Sequence, residues 1–155
     1  MSAGMGSILA SVYDLPWTLP LHLALLLVLL PLTTTGAKDG RFLVEQTATL
    51  EGEVGGLVTI PCSFTFPNTY RPQTITIIWR VHNFHGEFIF DSSNNLTHRD
   101  YQGRIKFLGS PLQEKTGTIQ LNRLLKRDSS KYFCRVIIIN GRRIKAWQNI
   151  PGTHL

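Results

Sequence analysis

Residues 131–148 read KYFCRVIIINGRRIKAWQ. Aromatic and β-branched residues fill the stretch as far as Asn140-Gly141, and an apolar pattern resumes beyond it. Asn-Gly between two such runs is the strongest short hairpin signal, because both residues tolerate the positive φ that a two-residue turn requires. A hairpin is therefore expected, with KYFCRVIII (131–139) and RIKAWQ (143–148) as its strands and a tight turn at Asn140-Gly141. Side chains alternate along a strand. If Cys134 faces a core, Tyr132, Val136 and Ile138 face it too, and Phe133, Arg135, Ile137 and Ile139 face the other way. Arg135 decides which side of this strand is wet, since an isolated charge is almost never buried.

Working outward, the chain from about residue 42 reads as short strands broken by turn residues. GLVTIPCSFTF (56–66) alternates, with Val58, Ile60, Cys62 and Phe64 on one side. TITIIWR (74–80) is β-branched and ends at Trp79-Arg80; EFIF (87–90), RIKFLG (104–109) and GTIQLNRL (117–124) read as further strands. PNTYRPQ, VHNFHG and the polar DSSNNLTHRD read as connections. Many short strands with regular turn signals, and no amphipathic helix, indicate a β-sandwich or barrel.

Five residues narrow that choice. Cys62 is followed 17 positions later by Trp79, and DSSKYFC then places Asp128, Tyr132 and Cys134 at fixed offsets. Tyr two residues before the second Cys is the tyrosine-corner position of an immunoglobulin fold, in which a strand Trp packs on the disulfide that joins the two sheets. The expected fold is all-β: a variable-type immunoglobulin sandwich with one inter-sheet disulfide, Cys62–Cys134, and EFIF as the additional strand of the front sheet. Arg104 opens a strand and is expected to pair with Asp128 at the bottom of the domain.

The compartment supports that pairing. Residues 19–32, LPLHLALLLVLLPL, match a secretory apolar region in length and fall short of the roughly 20 helical residues that span a bilayer. TTTGAK follows, so residues 1–37 read as a signal peptide cut after Ala37, and 38–155 as the domain. No Lys or Arg precedes the run, and an uncleaved membrane anchor is the alternative reading. In an oxidising compartment two cysteines read as one disulfide; two free core thiols are the alternative. Hydrophobic residues make up 43% of the 155 and charged residues 17%, enough for a packed core and too little charge for disorder. All 16 Lys and Arg lie after residue 37 with nine of the ten acids, a balance of +7. Eight of these cations fall between Arg123 and Lys145 against the single acid Asp128. Such a face suits acidic partners, namely sialylated or sulfated glycans or anionic lipid; the secretory signal argues against nucleic acid.

Parity on TITIIWR sets Ile75, Ile77 and Trp79 inward, and Thr76, Ile78 and Arg80 outward on the same sheet face as Arg135. Arg135 then stands on an open face among outward isoleucines, and contiguous exposed apolar surface marks an interaction site. A guanidinium fork matches a carboxylate with two parallel hydrogen bonds, and a neighbouring aromatic such as Trp147 adds apolar contact. The alternative is that Arg135 is a solvated strand charge.

IIWRVHNFHG (77–86), THRDYQGR (97–104), KYFCRV (131–136) and WQNIPGTHL (147–155) carry a more specific likeness. Across residues 42–155 the chain resembles the variable-type domain of the paired immunoglobulin-like type 2 receptors and, next to them, the sialic-acid-binding immunoglobulin-like lectins. The resemblance implies an immune-type cell-surface receptor for sialylated O-glycosylated proteins. It implies that Arg135 binds the sialic acid carboxylate and that Trp147, Gln148, Phe84 and Arg80 line the pocket. Ala146 stands where the family has a polar residue, which implies one sugar contact fewer. The runner-up is an adhesion module that pairs with another protein through its outward isoleucines, without sugar specificity.

The remaining candidates are weaker. His82 and His85 flank Phe84 without a third ligand at plausible spacing, so no metal is expected. Asn95-Leu96-Thr97 is a glycosylation sequon in a polar loop. Lys126-Arg127 and Arg142-Arg143 read as solvated faces or as a glycosaminoglycan site. No nucleophile motif, phosphate loop or supported carboxylate pair is present, so neither enzyme activity nor a cofactor is expected. The chain stops at GTHL, inside what should be the last strand, with no stalk or membrane span after it. It is expected to be a fragment of a single-pass cell-surface protein, attached to the membrane only through a segment absent here, or a secreted short form.

Overall fold

The computed structural model describes residues 40–155. The segment expected to be a signal peptide, 1–37, lies outside them. Eleven strands follow in chain order: β1 (Leu43–Glu45), β2 (Leu57–Ile60), β3 (Ser63–Thr65), β4 (Thr74–Val81), β5 (Phe88–Asp91), β6 (Leu96–Thr97), β7 (Ile105–Phe107), β8 (Ile119–Asn122), β9 (Lys131–Asn140), β10 (Arg143–Gln148) and β11 (Thr153–His154). The front sheet has the order β10-β9-β4-β5-β6, with β11 also on β9. The back sheet is β2-β8-β7, and β1 pairs β3 separately. This is the expected sandwich.

Its core is the inward set of both sheets. Ile77, Trp79, Val136 and Ile138 from the front meet Val58, Ile60, Ile119 and Leu121 from the back, all buried. Cys62 and Cys134 join the sheets, with Cα atoms 6.3 Å apart. Closing a loop of 72 residues removes unfolded-chain entropy worth about 4 kcal/mol in the chain-entropy account. Trp79 lies opposite Cys134 in the β4–β9 register and its indole N–H donates to the Gly117 carbonyl at 2.8 Å. The tyrosine corner is present: the Tyr132 hydroxyl donates to the Asp128 carbonyl at 2.8 Å. Burial pushes the Tyr132 phenol far above its usual pKa, so this donor keeps its proton. Arg104 and Asp128 form the expected pair, a fork with distances of 2.7 and 2.6 Å.

Three expectations are corrected, and one irregularity is added. The stretch 56–66 is two strands, because Pro61 has no N–H to donate and interrupts the ladder between β2 and β3. Its alternation survives, with Val58, Ile60, Cys62 and Phe64 all buried. The hairpin loop is Gly141-Arg142, closed by the pair Asn140–Arg143. Gly141 has φ +59° and Arg142 does not have positive φ, which is the two-residue loop with Gly at its first position. The polar stretch 91–100 contains β6, which caps the sheet at Leu96–Thr97. Finally, β5 carries a bulge: Trp79 pairs Phe90 and Arg80 pairs Phe88, leaving Ile89 as the extra residue. Ile89 and Phe90 are consequently both buried, and Phe88 turns outward beneath Arg80.

Candidate functional site

The outer face of the front sheet is built by strand register. Directly paired residues in an antiparallel ladder point to the same side, at a strand spacing of about 4.8 Å. Arg135 pairs Gln148 on one side and Ile78 on the other. Arg80 pairs Phe133, one outward step along β9 from Arg135. The two guanidinium groups are thus diagonal neighbours. Burial, and then the positive charge of Arg135, hold the Arg80 pKa below its usual value.

Each neighbour of Arg135 has a defined anchor. The Arg80 guanidinium lies 4.3 Å from the centroid of the Phe88 ring and donates to the Gly86 carbonyl at 3.3 Å. The Gln148 amide donates to the Phe84 carbonyl at 2.8 Å, which ties the β4–β5 connection across β9 to β10. The Phe84 ring stands edge-on to Phe133 at 6.4 Å. Arg135 itself is half-buried and forms no ion pair among the described residues. Arg80 Nε and Gln148 Oε1 are buried without a hydrogen-bond partner there. Buried polar groups are ordinarily satisfied, so this face has unused donor and acceptor capacity beside an unpaired cation.

The structure brings Arg135, Arg80, Gln148 and Phe84 together. It does not bring Trp147 to them. Trp147 pairs Val136, an inward residue, and its ring meets Phe42 at 4.9 Å and Phe64 at 6.4 Å on the core side of β10. Ala146 lies on the outer face opposite Ile137 and is exposed. Two expectations about exposure change. Phe133 points outward but is only 3% exposed, because Phe84 and the backbone at Gly152 cover it. Ile78, Ile137 and Ile139 are half-buried; the open apolar residues of this face are Ile144, 67% exposed, Leu96, 64% exposed, and Phe88. Period two tells which side a residue faces and not what a distant loop lays over it.

The connection that delivers Phe84 depends on Gly86. A Cβ there would lie 1.8 Å from the Val81 carbonyl oxygen and 2.9 Å from that of Asn83. Gly86→Ala is therefore expected to force the 82–87 turn apart, costing about 1–3 kcal/mol and loosening the Phe84–Gln148 tie. Urea denaturation of the variant checks the first effect. Asn95 is exposed at φ +49°, on the turn before β6, where its sequon is open to solvent. His82 Nδ1 contacts the Ser130 hydroxyl at 2.9 Å, and no group of three potential metal ligands occurs among the described residues. No helix among them is long and apolar enough to cross a membrane.

Residues 45–155 match the immunoglobulin V-set domain family. The chain is 37% identical over 119 residues to mouse paired immunoglobulin-like type 2 receptor alpha, covering 76% of this chain and 39% of that protein. It is 28% identical over 103 residues to human sialic acid-binding Ig-like lectin 15, covering 62% of this chain and 31% of that one. The chain spans 39% to 53% of the length of the paired receptors it matches. A solved structure of murine CRIg superimposes with a TM-score of 0.60 at 21% identity, covering 74% of this chain and 98% of that chain. That likeness concerns the fold alone.

Proposed function

The chain belongs to the immunoglobulin V-set family and is related to the paired immunoglobulin-like type 2 receptors, and from that premise we propose that it is the ligand-binding ectodomain of a cell-surface receptor for sialylated O-glycoproteins. One observation carries the reading. Arg135 stands on the outer face with no acidic partner among the described residues, next to a second guanidinium and to Gln148. In the proposed role Arg135 takes the sialic acid carboxylate in a two-point hydrogen bond. Arg80 reinforces the positive field, Gln148 offers its amide, and Phe84 supplies an apolar edge to the sugar. Trp147, which the resemblance places in the pocket, acts from beneath: it braces β10 against Phe42 and Phe64 and so sets where Gln148 lies. The domain acts outside the cell, where its disulfide and the Asn95 sequon belong.

A carboxylate–guanidinium contact contributes about 1.5–3 kcal/mol net. A shallow site of this kind binds in roughly the millimolar to micromolar range, and adhesion then depends on clustering. A clustered fusion of the full chain is expected to stain sialylated cells and to lose staining after sialidase. Arg135→Ala is expected to weaken binding roughly 10- to 150-fold, the equivalent of that contact, with unfolding unchanged. Arg135→Lys keeps the charge, loses the fork and falls between. Staining that survives both sialidase and Arg135→Ala would sink the proposal. It would favour the second reading, pairing with another protein around the exposed Ile144 of the same face.

A further inference from the structure

We propose that the hairpin end of the domain, separate from the Arg135 face, binds a sulfated polysaccharide of the glycosaminoglycan type. Five exposed cations gather there: Arg41, Arg71, Arg142, Arg143 and Lys145. They come from three segments that the fold draws together. The half-buried Phe42 ring is the hub. It meets Tyr70 edge-on at 5.5 Å, and Lys145 Nζ lies 5.6 Å from its centroid. Arg41 and Arg71 are the chain neighbours of those two rings. The hairpin is pinned to the same loop, since Gly141 N–H donates to the Gln73 side chain at 3.0 Å and Gln73 N–H to the Ile139 carbonyl at 2.9 Å.

The cluster has no internal neutralisation. None of the five cations takes part in an ion pair among the described residues. Among the described residues, Glu45 has its own partner, and Asp91 accepts from Ser93 N–H and hydroxyl at 2.8 and 2.7 Å. The hairpin tip at Arg143, opposite Asn140, lies about 17 Å along β9 from Arg135, and Lys145, opposite Ile138, about 10 Å, at roughly 3.4 Å per residue. Lys145 also projects to the opposite side of the sheet, since it pairs the inward Ile138. One monosaccharide at Arg135 cannot occupy both.

The chemistry selects the partner class. The cluster offers charge density on long exposed side chains, and because β10 is the edge of the front sheet its Arg143 and Lys145 are the kind of charge that discourages strand addition there. A peptide docks through pockets or backbone pairing. A flexible chain with sulfate or carboxylate on nearly every sugar instead engages several guanidinium groups at once and releases its condensed counterions. The Arg71 guanidinium is already held by the Asn68 carbonyl, so part of the array is pre-ordered.

The test uses the full chain on immobilised heparin and on desulfated heparin at physiological salt. Retention on heparin and not on the desulfated polymer is expected. Replacing Arg142, Arg143 and Lys145 together with alanine is expected to weaken heparin binding roughly tenfold or more and to flatten its salt dependence, since fewer counterions are released. A matched variant with Lys106, Lys126 and Arg127 changed to alanine removes the same charge elsewhere and is expected to retain nearly full binding. Equal losses in the two variants would assign the binding to net charge and overturn the site. Loss on Arg135→Ala would overturn it as well, by moving the polyanion to the front sheet. Failure to bind heparin at all would do the same while leaving the sialic acid reading intact. All six substituted residues are exposed, and matching thermal unfolding confirms that both variants fold.

Discussion

Asp128→Ala is expected to lower stability by about 3–5 kcal/mol, the cost of stranding a buried cation. Arg104 is 7% exposed and Asp128 is 3% exposed, so removal of the carboxylate leaves the guanidinium with neither a counter-ion nor water. The carboxylate does more than pair. Its Oδ2 also accepts from Leu125 N–H at 2.7 Å, which holds the turn entering β9. The same residue's carbonyl takes the Tyr132 hydroxyl. One residue therefore closes the lower end of the domain through four hydrogen bonds that reach Arg104 just before β7, the 125–128 turn and β9. Against a total stability of about 5–15 kcal/mol, the loss is a large share. Asp128→Asn keeps the shape and one acceptor and is expected to cost less. Urea denaturation of the two variants gives the ranking. Equal, small losses would mean that solvent reaches Arg104 after all.

This end of the molecule was legible in the sequence because its geometry is covalently local. Asp128, Tyr132 and Cys134 stand at fixed offsets on one turn and one strand, and parity carries each to its place. Parity also assigned Ile77, Trp79, Val136 and Ile138 to the core correctly. It sufficed for Trp147 too. A two-residue loop at Asn140-Gly141 or at Gly141-Arg142 leaves that residue opposite an inward position, Cys134 or Val136, so the aromatic belongs beneath β10. Its place on the partner strand and the family likeness had both set it beside Arg135, without that parity being followed across the turn. The cover on Phe133 was not legible, because it depends on two connections, 82–87 and 149–152, folding over β9 from opposite directions. Nor was the bulge in β5. EFIF contains no Gly or Pro to mark it, and it shows only in the partner strand, where Trp79 and Arg80 skip Ile89. The candidate site draws on both kinds of information. Parity puts Arg135 and Arg80 on one face, while the bulge and the Gly86 turn bring Phe88 and Phe84 to them.

Trp79→Ala is expected to cost about 3–5 kcal/mol in lost packing, with a further 1–3 kcal/mol for the Gly117 carbonyl left without its donor. Trp79 is fully buried opposite Cys134, and the indole reaches across the sandwich to a residue that must be glycine. A Cβ at Gly117 would come within 2.8 Å of Ile77, so the close approach that permits this hydrogen bond also leaves no room for relaxation. The void would open against the disulfide, at the centre of the β4–β9 ladder. Trp79→Phe separates the two contributions: it keeps most of the volume, loses the donor, and is expected to cost about 1–3 kcal/mol. The functional consequence follows from chain geometry. Ile78 and Arg80 flank Trp79 on the outer face, so a core that repacks under β4 displaces the guanidinium that neighbours Arg135. Trp79→Ala should therefore lose stability and ligand binding together, whereas Arg135→Ala loses binding alone. A Trp79→Ala protein that unfolds early yet stains sialylated cells like the wild type would show that the front face is held by β9 and β10, independently of the core beneath β4.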